Sequence, residues 1–220
     1  MAKADNNSGD GYSGRVGNTV YYKRMGKWVK RTIGKSNKPA SPAQLKHRQR
    51  VKITNKFIAP VKEFIEISLA PEGRVLQRTP NDLMLKYTLG TAITGEYPNQ
   101  EIDFTKAQFS AGNMKPTPAL KITQNDAGLR FSWDTALIPD EFRNDDQVLL
   151  LIYFPELEKA DFQTTGISRS DGSYQFNVPK NDSATKMETY ISFISANRKR
   201  VSPSSYLGQF ILPAYQPQIK

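Results

Sequence analysis

The sequence predicts an α+β fold in which a basic β-hairpin and helices come first and an all-β sandwich follows. Two observations predict this order: apolar residues recur at helical spacing in the first half, and short alternating segments between turn residues begin near residue 104. We expect a flexible polar tail at 1–14, a basic hairpin–helix module at 15–103 and a β-sandwich domain at 104–215. A length of 220 residues is enough for such a core without disulfides.

Residues 16–33 are typical of two strands around a tight turn. Val, Thr, Tyr and Trp favour the pleated, half-buried surface of a sheet, and residues 24–27 supply a turn that contains glycine. Trp28 and Lys30 lie two positions apart and therefore share a face of the second strand. A hairpin is marginally stable in water by itself, so we expect this one to pack on something else.

The segment that follows the hairpin predicts helices. Ser41 and Pro42 are suited to cap and begin a helix that continues to about Ile58, because proline is tolerated in the first turn. Pro60 is expected to kink or restart this helix, and residues 71–73 to stop it. A second helix is expected at about 80–89.

The remaining half is predicted to consist of strands. They are expected at 105–110, 118–124, 128–134, 147–154, 162–168, 173–178, 187–196 and 206–212. Within them, GLRFSWD (128–134) and TYISFISAN (189–197) resemble two strands of fibronectin type III domains, including the Y-x-V-x-V-x-A strand. The resemblance implies an immunoglobulin-like or fibronectin-III-like sandwich, with Trp133 in its core and Tyr190 as the corner tyrosine.

Positive charge is concentrated at one end of the chain. The formal net charge is +10, but residues 1–57 carry +12 and residues 58–220 carry −2. A basic end on a nearly neutral body indicates a surface that binds a polyanion, although a solvated basic face without a partner would give the same count. The candidate nucleic-acid-binding residues are Lys23, Arg24, Lys27, Trp28, Lys30, Arg31, Arg48, Arg50, Lys52 and Lys56.

This set combines the two residue types that nucleic-acid binding requires. Lysine and arginine neutralise phosphates, and flat side chains such as Tyr21, Tyr22 and Trp28 can stack on bases. The same aromatic residues could instead form the core of the hairpin, and we expect this of at least one of the three.

Residues that could carry catalysis are few. The chain has no cysteine and one histidine, His47, which lies among cations and is expected to be a surface or helix-packing residue. The acidic pairs 140–141 and 145–146 are expected to be solvated loop charges. The G-x-G-x-x-G at 9–14 lacks a preceding strand and is a chance match, and no other catalytic or cofactor-binding motif occurs. We expect no enzymatic activity, no cofactor and no metal.

Two N-terminal segments carry a family resemblance. SGRVGNTVYYKRMGKWVKRT (13–32), followed by PASPAQLKHR (39–48), resembles the signature of a Bacteroidetes family, the domain of unknown function 6266. The stretches 102–106 and 109–112 are similar to later motifs of that family, so the resemblance spans most of the chain. It implies no catalytic residues. The helix start within 39–48 also resembles prophage-encoded structural proteins.

These observations lead us to expect a non-enzymatic structural or assembly protein, a component of a phage-like particle. Its basic N-terminal module would contact nucleic acid or the acidic surface of another subunit, and the chain would form a homo-oligomer or a larger assembly. The alternative is a surface or carbohydrate-binding adhesin that uses the sandwich loops, and a hydrolase using the acidic loop is a third class. The polar N-terminus has no signal-peptide pattern and no run of 18 apolar residues occurs, so we expect a cytoplasmic or particle-borne protein without membrane contact.

Overall fold

The helices and strands follow one another in the order expected from the sequence. The computed structural model describes residues 3–4, 12–34, 38–136, 142–179 and 183–214. The helices are α1 (Pro42–Ile58), α2 (Lys62–Ser68), α3 (Ala70–Leu76) and α4 (Pro80–Tyr87). The strands are β1 (Lys3–Ala4), β2 (Tyr12–Val16), β3 (Thr19–Arg24), β4 (Lys27–Thr32), β5 (Ile93–Thr94), β6 (Glu101–Ile102), β7 (Lys121–Asn125), β8 (Gly128–Ser132), β9 (Gln147–Phe154), β10 (Lys159–Gln163), β11 (Ser173–Asn177), β12 (Thr185–Ile194) and β13 (Ser205–Leu212).

The first compact unit, Met1–Pro42, contains an antiparallel sheet of order β1-β2-β3-β4. The expected hairpin is formed by β3 and β4, and the turn residues Met25 and Gly26 both have positive φ, 49° and 78°. Such turns match the twist of a hairpin. Strand β1 and the first three residues of β2 lie within the segment 1–14 for which we expected a flexible tail, whereas residues 1–2 and 5–11 of that segment are outside the described part of the chain.

The second compact unit, Ala43–Lys220, contains the sandwich. One sheet has the order β11-β8-β7 and the other β10-β9-β12-β13, and a buried apolar cluster with residues from both lies between them. Three strands facing four in this order form a fibronectin-III-like sandwich. Together with the helices that precede it, this sandwich confirms the predicted α+β class. Seven of the eight expected strands overlap a strand among the described residues, although β10 (Lys159–Gln163) shares only residues 162–163 with the strand expected at 162–168. The strand expected at 105–110 is absent, because Asp103 accepts a hydrogen bond from the Thr105 amide and begins a 3-10 turn at Phe104–Lys106.

Strand β9 is buried on both faces. All seven residues from Val148 to Phe154 are at most 4% exposed. Val148, Leu150, Ile152 and Phe154 belong to the cluster between the sheets, and Leu149, Leu151 and Tyr153 belong to a second cluster with the helices. Because side chains alternate along a strand, this apolar run requires a layer on each side.

The helices supply that second layer. Phe57 of α1 packs edge-on against Tyr153 with ring centroids 5.0 Å apart, and Phe64 of α2 packs against Phe162 at 5.8 Å. We expected a boundary after residue 103, but the compact units divide at Pro42, because the helices bury their apolar faces on the sandwich. Helix α1 has the predicted bounds, whereas α3 includes residues 71–73, where we expected an end; Pro71 lies in its first turn, which tolerates proline.

The two residues assigned from the fibronectin resemblance have different outcomes. Trp133 is 5% exposed in the core of the sandwich, and its indole N–H donates to the Arg169 carbonyl at 2.7 Å. Tyr190 is not the corner tyrosine. It faces the helical layer, and its hydroxyl donates to the Phe104 carbonyl at 2.7 Å, far upstream in sequence. A corner tyrosine bonds to backbone a few residues upstream.

Three tyrosines on the helix-facing side of the β10-β9-β12-β13 sheet have pKa values above that of a free tyrosine. Burial, with a smaller contribution from Glu158, raises the pKa of Tyr153 to about 12. Burial raises the pKa of Tyr206, whose hydroxyl donates to the buried Glu188 carboxylate at 2.7 Å, and burial also raises the pKa of Tyr190. These phenols remain protonated at pH values at which exposed tyrosines ionise.

The raised pKa values predict alkaline destabilisation. Above pH 10, the usual pKa, Tyr153 loses its proton in the unfolded chain but keeps it in the folded protein until about pH 12. The free energy of unfolding should therefore fall by about 1.4 kcal/mol per pH unit in this window for this residue. Denaturant unfolding from pH 9 to 12 should show a shallower decline for Tyr153→Phe, whereas Tyr97→Phe, at an exposed phenol, should match the wild type. Equal slopes for the two variants would contradict this account.

Candidate functional site

The hairpin β3–β4 presents aromatic rings and lysines on one face. Tyr21 lies directly opposite Lys30, and Lys23 lies directly opposite Trp28. Residues opposite one another, and residues two positions apart on a strand, share a face. The four side chains therefore form a checkerboard in which the two rings are diagonal neighbours and so are the two ammonium groups. We call these four residues the aromatic–lysine face.

Each lysine of this face contacts the ring across the hairpin. The Lys23 ammonium is 5.9 Å from the centroid of the Trp28 ring, and the Lys30 ammonium is 5.6 Å from the centroid of the Tyr21 ring. Such cation–π contacts are worth about 0.5–1 kcal/mol at exposed sites. They are weak enough for a phosphate to compete for the ammonium groups, and they keep cation and ring next to each other.

The opposite face of the hairpin carries the other predicted cations. Arg24 pairs with Lys27 near the turn, and Arg31 pairs with Val20. Between them lies the apolar pair Tyr22 and Val29. This opposite face is therefore an apolar centre with cations on both sides.

The sheet has no buried core among its described side chains. Every side chain described within residues 13–34 is exposed or half-exposed, including Tyr21, Tyr22 and Trp28. The structure thus differs from our expectation that at least one of the three would be a core residue, because the four strands of this unit form a single layer and cannot enclose a core of their own. Sheets of this kind gain stability when another surface covers their apolar side chains.

The four candidate cations of α1 separate into two groups. Arg50 is half-buried and donates to the Leu89 carbonyl, and the Lys56 ammonium pairs with the Glu158 carboxylate. Arg48 and Lys52 are one turn apart and exposed. The sequence pattern assigned all four to a partner, but two of them bind within the C-terminal unit. Nothing in their local sequence distinguishes the groups, since the acceptors lie 39 and about 100 residues away.

A buried ion pair was missed by sequence reasoning. Asp146, expected to be a solvated loop charge, is 2% exposed and pairs with Arg169, which is fully buried; the Arg169 Nε lies 3.3 Å from the Asp146 Oδ2. The Arg169 guanidinium lies between the rings of Phe142 and Phe193, 4.1 and 4.2 Å from their centroids. Asp145 is exposed, and residues 140–141 lie outside the described residues.

The described residues also lack two other kinds of feature. They contain no group of three or more His, Cys, Asp or Glu side chains placed to hold a metal ion. No helix in the described part of the chain is long and apolar enough to cross a membrane.

Comparison with protein families places most of the chain within one of them. A family model described as "Family of unknown function (DUF6266)" matches residues 11–208, which include the hairpin, the helices and nearly all of the sandwich. No curated protein matches the chain.

The different roles of the α1 cations predict different mutational effects. Arg50→Met should lower the free energy of unfolding by about 1.5–3 kcal/mol, because a charged hydrogen bond to a backbone carbonyl is lost at a half-buried position. Arg48→Met, on the exposed face of the same helix, should stay within about 0.5 kcal/mol of the wild type. Urea titrations of the full chain measure both, and equal effects would mean that Arg50 has no internal role.

Proposed function

The chain belongs to the family of unknown function DUF6266, and we propose that it is a non-enzymatic structural protein that binds nucleic acid and assembles with copies of itself. The aromatic–lysine face of the N-terminal sheet carries this proposal. It combines half-exposed rings with ammonium groups, which is the chemistry of a surface that contacts both bases and phosphates.

The arrangement of the rings favours a single strand over a duplex. Diagonal neighbours in a sheet are about 7–8 Å apart, whereas bases stacked along one strand of a duplex are about 3.4 Å apart. Tyr21 and Trp28 are therefore spaced to contact bases in an extended strand. Lys23 and Lys30, on the other diagonal, are placed to neutralise its phosphates.

Assembly is supported by the opposite face and by the charge distribution. Tyr22 and Val29 are an apolar pair flanked by Arg24, Lys27 and Arg31. Two such faces would repel each other, but residues 58–220 carry a net charge of −2. The occupant that fits is therefore a surface within residues 58–220 of a second copy. A contact between two different surfaces is heterologous, and heterologous contacts form rings or filaments.

Nucleic-acid binding can be tested on the full chain with a fluorescent oligothymidylate of about 12 nucleotides, within the range that one small domain occupies. Trp28→Leu should weaken binding about tenfold or more, because base stacking on its ring is lost. Lys23→Gln with Lys30→Gln should flatten the slope of log K against log salt by about 1.4, since each phosphate contact of a single strand contributes about −0.7.

Matched controls separate the two faces of the sheet. Tyr22→Leu removes an aromatic ring from the opposite face of the same strand, and Lys121→Gln with Lys159→Gln removes two exposed charges from the sandwich. Both should leave affinity within about twofold of the wild type. Absence of binding at about 50 mM salt, or equal losses in test and control variants, would refute the proposed site.

Assembly can be tested separately by size-exclusion chromatography with light scattering. The wild type should show a mass above that of one chain that increases with concentration and falls with salt, because the proposed contact pairs cations with acidic residues. Val29→Lys should reduce the mass, whereas Thr32→Lys, on the aromatic–lysine side of the same strand, should not. A monomer at every concentration would contradict the assembly proposal and leave nucleic-acid binding to be judged by its own result.

A further inference from the structure

A cavity at one end of the sandwich has no role in the function proposed above. Its volume is about 360 Å³, and it lies between the β8–β9 connection and the β12–β13 connection. Six polar side chains line it: Arg143, Asp145, Asp146, Ser195, Asn197 and Arg200. Small-molecule sites have volumes of about 300–1,000 Å³ and orient their ligands through polar groups, so this cavity is large enough for a small polar molecule.

The charge of one lining residue is already neutralised. Asp146 is 2% exposed, and its Oδ2 atom accepts hydrogen bonds from the Arg169 Nε at 3.3 Å and from the Arg143 backbone N–H at 3.0 Å. Phe142 and Phe193 cover the Arg169 guanidinium. Asp146 therefore forms a fixed part of the wall rather than a site for a cation.

The positive charges of the two arginines that line the cavity are not neutralised by described carboxylates. Neither Arg143 nor Arg200 forms an ion pair with a carboxylate among the described residues. The Arg200 Nε is buried and has no hydrogen-bond partner in the described part of the chain. A buried donor without an acceptor is costly, and both guanidinium groups keep a charge that an anion in the cavity can neutralise.

The β12–β13 connection is held in place by its own hydrogen bonds. The Arg200 amide donates to the Ser195 hydroxyl at 3.0 Å, and the Ser195 amide donates to the Arg200 carbonyl at 2.9 Å. Asn197 uses its side-chain oxygen to accept from the Ser195 hydroxyl and the Lys199 amide. Its side-chain NH₂ group is then the part of the amide that can donate to a ligand.

We propose that this cavity binds a small molecule with one carboxylate. The guanidinium groups of Arg143 and Arg200 would hold the carboxylate, which a planar fork of donors matches in shape. Asn197 adds a donor, and Asp145 accepts from a hydroxyl or ammonium group elsewhere on the ligand. Because Arg169 neutralises Asp146, the lining offers two cations for one carboxylate and one anion, Asp145, for a hydroxyl or ammonium group.

The same charge count disfavours other ligands. A phosphate dianion or a polyanion would be repelled by Asp145, since a like charge close to a ligand reduces affinity. The ligand would be held by the loops of the C-terminal unit, where the adhesin alternative expects binding. Binding of a ligand in this cavity does not depend on the N-terminal sheet.

Calorimetric titration of the full chain tests the proposal with three probes. Glucuronate carries a carboxylate and hydroxyls, dialanine carries a carboxylate and an ammonium, and glucose carries hydroxyls alone. At least one carboxylate should bind and glucose should not. The carboxylate probe that binds more tightly shows whether Asp145 accepts from a hydroxyl or from an ammonium group. Asp145→Asn should reduce binding of dialanine more than of glucuronate, because only dialanine presents a positive charge to Asp145.

Variants of the arginines decide whether the cavity is responsible. Arg143→Gln and Arg200→Gln should each weaken carboxylate binding about tenfold or more, because a charged hydrogen bond is lost. Arg130→Gln, at an exposed arginine on β8, should bind as the wild type does. Arg143 is exposed, so its variant tests the site even if Arg200→Gln fails to fold. Absence of binding by both carboxylates at about 10 mM, or binding unchanged in Arg143→Gln, would overturn the proposal.

Discussion

The burial of β9 on both faces is the constraint on which the C-terminal unit depends. One face of the strand joins the core between the two sheets, and the other joins the core shared with the helices. Neither layer can be removed without exposing about half of this apolar run, from Val148 to Phe154, to water. This explains why the helices and the sandwich form one compact unit, although the sequence changes from helical to strand patterns between them.

The side chains of the N-terminal sheet differ from those of β9 in their burial. Its strands also alternate apolar and charged residues, but no described side chain within residues 13–34 is buried. Lysines and arginines allow water to solvate both faces of this sheet. Strand β4 lies at the edge of the sheet and carries cations at Lys27, Lys30 and Arg31, which discourage edge-to-edge pairing. A sheet of this kind has surface for partners that a packed sheet lacks. The proposed contacts with nucleic acid and with a second copy both use that surface.

Buried charge has a different role in the sandwich. Arg169 is fully buried between two aromatic rings, and its backbone carbonyl accepts the hydrogen bond of Trp133. Taking such a charge out of water is costly unless it is paired, so Asp146 must lie next to it. Asp146 also accepts a hydrogen bond from the Arg143 amide, so the ion pair holds residues 143–146, which line the cavity.

Local patterns in the sequence determined the α+β class, the hairpin turn, the bounds of α1 and seven of the sandwich strands, because capping, turn chemistry and alternation act over a few residues. Only the tertiary structure decided which charges are internal. Arg50 and Asp146 look like the charged residues around them, and their partners Leu89 and Arg169 lie 39 and 23 residues away. The direction in which Tyr190 faces was decided in the same way, by the helical layer that covers its side of the sheet. Contacts over such separations arise only when layers pack, and no short stretch of sequence contains both partners.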